Sequence, residues 1–105
     1  MAMFVVSMFT ETGRGYMYCQ PCATQHDLLA AKAQLADLSP EDMDLIGSHV
    51  IGDPEIHDPK SLARLSPYFQ KFTPVDSLAA LLSHRKQARS HLQHILRRVQ
   101  AIRHA

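Results

Sequence analysis

The sequence has no acidic residue after Asp76 and no Phe, Tyr or Trp after Phe72. Its last stretch, residues 77–105, therefore carries six basic side chains with no carboxylate to pair with. It also lacks the aromatic platforms on which single-stranded nucleic acids stack. Cysteine is scarce as well. Two in 105 residues cannot build a disulfide framework, and with no export signal in sight reduced thiols in a cytoplasmic setting are expected. The apolar opening Met1–Phe9 has no basic flank and is too short for a signal peptide or a membrane span, which argues against a membrane partner. Phosphate-cradling glycine loops, GxSxG, HExxH and facing carboxylate pairs are all missing, and so are internal repeats. These absences set an enzyme behind a non-enzymatic role.

What is present is ordinary globular material, 46% hydrophobic and 20% charged, enough for one domain over 1–105. The net charge of +1 conceals a split: residues 1–76 hold five Lys/Arg against ten Asp/Glu, and residues 77–105 hold six against none. An acidic body is followed by a basic end.

Residues 3–9, rich in Phe, Val and Met, read as a strand covered on both faces; Gly13 and Gly15 supply a turn and Tyr16–Cys19 the return strand of a hairpin. Pairs of a capping residue and proline then punctuate the chain at Ser39-Pro40, Asp53-Pro54, Asp58-Pro59, Ser66-Pro67 and Thr73-Pro74. Because Ser, Thr and Asp cap helices and Pro suits the next position, most of them predict helix starts, with Asp53-Pro54 in a loop over 52–57. The expected helices run over 24–38, from Pro40 to about Val50, near 59–65 and 67–72, and finally over 73–105. In the last, Leu78, Leu81, Ala88, Leu92, Ile95, Val99 and Ile102 recur at spacings of three and four, broken only at Arg85. The expected architecture is α+β but mostly helical: a body over 1–72 in which an N-terminal β-hairpin packs on several short helices, and one long C-terminal helix over 73–105.

Cys19-Gln20-Pro21-Cys22, at an expected strand–helix junction, resembles the CxPC active site of the thioredoxin family. That resemblance covers four residues. It implies Cys19 as the attacking thiolate, Cys22 as the resolving thiol and Pro74 as the cis-proline, although a helix rather than strands is expected to follow Pro74. A second reading adds His26 and gives a zinc set of Cys19, Cys22 and His26, completed by His49 or His57. A third leaves both cysteines as small packed hydrophobes. His84, His91 and His94 share one side of the expected long helix and offer a metal site or a solvated face.

Arg85, Lys86, Arg89, Arg97, Arg98 and Arg103 need opposite charge from elsewhere: the protein's own acidic body, an acidic partner protein, or nucleic-acid phosphates. Leu92, Ile95, Val99 and Ile102, on a helix expected to overhang the body, point to a homodimer through antiparallel helices. The sequence thus reads as a small regulatory or adaptor protein binding an acidic protein surface. The alternatives are a zinc- or nucleic-acid-binding module and a thiol oxidoreductase. Zinc is the one cofactor the residues suggest.

Overall fold

The computed structural model describes residues 2–52 and 55–87. The chain opens with strands β1 (Ala2–Phe9) and β2 (Gly15–Cys22), followed by helices α1 (Gln25–Ala33) and α2 (Pro40–Leu45) and strand β3 (Ile46–Gly52). Helix α3 (Pro59–Leu65), strand β4 (Phe72–Val75) and helix α4 (Leu78–Leu82) complete it. Short 3₁₀ turns at Gln34–Asp37, Pro67–Lys71 and Ser83–Gln87 follow α1, α3 and α4.

β1 and β2 form the hairpin that the local sequence dictates. The Thr10 N–H donates to the Arg14 carbonyl at 2.9 Å, and the Gly13 N–H donates to Thr10 at 2.9 Å. Gly13 has φ +82°, a conformation that costs a residue with a Cβ far more. The ladder runs from Ala2 opposite Cys22 to Phe9 opposite Gly15. β1 also pairs antiparallel with β3, and β2 parallel with β4, giving the order β3-β1-β2-β4. Both outer strands therefore run parallel to β2, and parallel neighbours in sequence need a crossover. The chain makes two, through α1 and α2 from β2 to β3, and through α3 from β3 to β4.

Those crossovers cover opposite faces of the sheet. On the first, Phe4, Val6, Met8, Tyr16 and Cys22 pack with Leu28 and Ala31 of α1 and Leu81 of α4. On the second, Met3, Val5 and Met17 pack with Leu62 of α3, Phe69 and Phe72. Every residue from Met3 to Met8 is buried, which is why β1 reads as a continuous apolar run. Each large side chain so buried contributes about 1.5–3 kcal/mol.

A mostly helical fold with one long terminal helix is overturned. Residues 46–50, expected to continue the helix that starts at Pro40, belong instead to β3: α2 stops after six residues, and Ile46, Val50 and Ile51 are β-branched residues flanked by Gly47 and Gly52. Thr73 and Pro74 start no helix but lie in β4, where Thr73 faces Tyr16 and Pro74 faces Met17. Proline is tolerated there because β4 is an outer strand. The helix begins four residues later, with the Ser77 hydroxyl accepting the Ala80 N–H at 3.0 Å, and after Leu82 it tightens into a 3₁₀ turn. Other caps stand where the Ser/Asp-Pro pairs put them: Ser39 accepts from Asp42 and Asp58 from Ser61.

Candidate functional site

β2 carries the CxPC run to its end, and an extended strand decides what that run can do. Side chains alternate along a strand, so two residues three apart face opposite ways. Cys19 packs among the Met3–Phe72 cluster on the second face, while Cys22 lies in the Phe4–Leu81 cluster on the first. Three strand steps also separate their Cα atoms by about 10 Å, beyond the span of a disulfide. Both thiols are free.

Neither thiol is activated. Burial pushes Cys19 up to about 11. Burial and the Asp27 carboxylate also raise Cys22, opposed by a backbone hydrogen bond to Phe4. A catalytic thiol needs the opposite shift, towards thiolate at neutral pH. No peptide bond among the described residues is cis, Pro74 included. His26 is exposed on the first turn of α1, away from Cys19, so the structure does not bring Cys19, Cys22 and His26 together. Among the described residues no group of three or more His, Cys, Asp or Glu side chains is placed to hold a metal ion.

The other expected site residues divide between two regions. Arg85 is exposed and donates to the Leu82 carbonyl at 3.3 Å, capping the end of α4. Lys86 follows it in the 3₁₀ turn. Arg89, Arg97, Arg98 and Arg103, the apolar set Leu92, Ile95, Val99 and Ile102, and His91 and His94 lie outside the described residues. His84 stacks on Tyr16, ring centroids 3.8 Å apart and 10° from parallel, so it fastens the end of α4 to the sheet.

A hollow of about 280 Å³ opens beside α3, lined by Glu55, Ser61, Arg64 and Leu65. It falls below the usual span of small-molecule sites, and Arg64 is engaged with the Ser61 hydroxyl at 3.2 Å.

The strongest unfilled bonding capacity is at the outer edge of β3, which sequence reasoning read as helix. Seven residues, Ile46–Gly52, pair with β1 in unbroken register, and no described strand lies on their other side. Such an edge presents a row of backbone donors and acceptors roughly 23 Å long. Proteins usually guard edges with Lys, Pro, a bulge or brevity. β3 has no Lys, Arg, Asp or Glu, no Pro and no break in its ladder. Apolar surface accompanies it: Val50 is 46% exposed, Met43 on the adjoining α2 42%, and Tyr68, whose ring lies 6.3 Å from that of His49, 50%. The missed signal was the β-branched set in Ile46-Gly47-Ser48-His49-Val50-Ile51, which Met43 and Leu45 just upstream disguised as a helix face.

No helix among the described residues is long and apolar enough to cross a membrane. No protein-family model, curated protein or solved structure matches the chain.

Proposed function

We propose that this protein is a non-enzymatic regulatory or adaptor protein that works by accepting an extended polypeptide segment along the outer edge of β3, as a fifth strand of its sheet. The observation that carries the reading is the unguarded length of that edge, seven uncharged residues in a continuous ladder with Val50, Met43 and Tyr68 exposed beside it. Backbone hydrogen bonds supply the attachment, and the apolar side chains on either face select what attaches. Burial raises the thiols of Cys19 and Cys22, which weighs against the thiol oxidoreductase alternative.

Selection from a random peptide library on the purified chain tests this. Peptides are expected that alternate apolar and polar residues and that lose binding on Val50→Lys but not on Leu29→Lys, a change at an exposed apolar residue of α1. N-methylation of a selected peptide at every second residue should abolish binding in one phase and spare it in the other, because adjacent N–H groups of a strand point to opposite sides. Binders indifferent to both the phase of methylation and Val50→Lys would refute strand addition at β3.

A further inference from the structure

We infer that the strand taken up at β3 is β3 of a second copy, so that two sheets join antiparallel across a two-fold axis into one sheet of eight strands. The inference rests on β3 accepting a strand and names which one.

Residue pairing identifies the occupant. Antiparallel self-pairing that overlaps all of Ile46–Gly52 admits one register, which sets Ile46 opposite Gly52 of the partner, Gly47 opposite Ile51, Ser48 opposite Val50, and His49 on the axis opposite its own copy. Ile46, Val50 and Ile51 then each meet a glycine or serine, and His49 alone meets its own copy. Facing positions pack best when large and small residues alternate in this way, and a sheet edge with arbitrary sequence would set some bulky residues against each other. Charge agrees with volume. Self-pairing places each residue beside one of the same strand, so a charged strand would meet like charge directly across the ladder. β3 carries no Asp, Glu, Lys or Arg, so His49 is its one ionisable side chain that meets its like.

The surroundings add apolar contact on both faces. On the first, exposed Val50 and Ser48 of one copy alternate with those of the other, next to Met43 at the start of each strand. On the second, His49 already packs edge-on against Phe69 at 5.7 Å and near Tyr68, so two such groups adjoin at the axis. α1 and α4 lie over the β1 and β2 side of the sheet and leave the β3 edge open among the described residues.

Sedimentation equilibrium of the full chain at micromolar concentration should give twice the 11.8 kDa chain mass. Val50→Lys should raise the dimer dissociation constant at least about tenfold by setting ammonium groups into the ladder, with the far-UV circular dichroism unchanged. Should that variant unfold, Ser48→Lys at a neighbouring exposed position takes its place. Register is read by mild oxidation. His49→Cys should link two copies at position 49, because directly opposed Cβ atoms lie about 4.5–5.5 Å apart, whereas Ser48→Cys should not, its copy lying diagonally at about 7–8 Å. A chain that stays monomeric overturns the inference. So does a dimer that survives the lysine variants and leaves position 49 unlinked, which would place association elsewhere. A monomer that still binds library peptides at β3 overturns self-pairing alone and leaves strand acceptance standing; a monomer that binds none removes both.

Discussion

The two outer strands of this sheet hold equivalent places and are built by opposite means. β3 and β4 both run parallel to β2, and a helical crossover delivers the chain to each. β3 pairs with β1 over seven residues, but only half-buried side chains anchor it, in the pattern of a strand held by its ladder. β4 has four residues, one of them Pro74, and is held by its side chains: Phe72 is buried among Phe9, Tyr68 and Phe69, and Val75 packs partly against the core of the first face. β4 is thus short, interrupted and guarded, β3 long, uncharged and open. The lesson is that an edge held by its side chains can spare its backbone from partners, whereas an edge held by its backbone keeps the same bonding groups available on its outer side.

The largest expected effect tests where each edge draws its support. Phe72→Ala should cost about 3–5 kcal/mol in urea-induced unfolding, the usual range for a buried phenylalanine, whereas Val50→Ala should stay within about 0.5 kcal/mol. Equal losses at the two positions would break the distinction. Next comes Gly15, directly opposite Phe72 in the parallel ladder. A Cβ there would lie 2.8 Å from Cδ1 of the Phe72 ring and 3.3 Å from the Lys71 carbonyl oxygen. Gly15→Ala must displace a ring packed against three others, and should cost about 1–3 kcal/mol as an overpacking change. The same substitution at Gly52, where nothing among the described residues lies within 4 Å, should be close to neutral.

What could be read from the sequence follows the same division between local and distant contacts. The β1–β2 hairpin and the caps at Ser39 and Asp58 were legible because their causes lie within a few residues: Gly13 with its positive φ, or a hydroxyl or carboxylate three residues before the N–H it accepts. β3 and β4 were not. The partner of Ile46–Gly52 is β1, some forty residues earlier, and the partner of Phe72–Val75 is β2, still further away. Both strands are reached by helical crossovers and not by tight turns, so no turn in the sequence announces either pairing. Thr73-Pro74 satisfies the rules for a helix start and those for an outer strand equally well, and only the packing of Phe72 against Gly15 selects the strand. The cysteines were misjudged for a related reason. A strand that runs to Cys22, three residues past the expected junction, turns a knuckle with two converging thiols into two thiols on opposite faces.

The boundary after β4 gives a smaller effect. Ser77→Ala removes the cap of α4 and should cost about 1 kcal/mol, and Thr73→Ala, at an exposed strand position, should fall within about 0.5 kcal/mol. The reverse ranking would mean that the helix starts at Thr73 and that β4 is not a strand in solution. Loss of the α4 cap should leave β3 untouched, so hydrogen exchange should quicken at Leu81 and Leu82 and not along Ile46–Gly52.

The smallest effect concerns α3, the crossover that leads from β3 to β4 and supplies Leu62 beneath the second face. Its cap is the Asp58 carboxylate, which accepts the Ser61 N–H at 2.7 Å. The Ser61 backbone contact, with help from the Ser61 hydroxyl and smaller contributions from the Lys60 N–H and the Arg64 guanidinium, holds the Asp58 carboxyl below its ordinary value against an opposing desolvation. A carboxylate whose folded value is depressed contributes stability that is fully present above its unfolded value, about 3.9, and is lost as pH falls through the folded one. Asp58→Asn keeps a side-chain oxygen for the cap but removes the charge. The gap between wild type and variant in urea midpoint should therefore be present at pH 6 and should close as pH falls through the depressed folded value of Asp58. Because α3 leads into the turn that carries Phe69 and then into β4, hydrogen exchange in acid should quicken first along α3 and Phe72–Val75, with Ile46–Gly52 following only at global unfolding. A gap that does not change with pH would assign the cap to the geometry of the side chain alone. Simultaneous loosening of β3 and β4 would show that the two edges share one source of support.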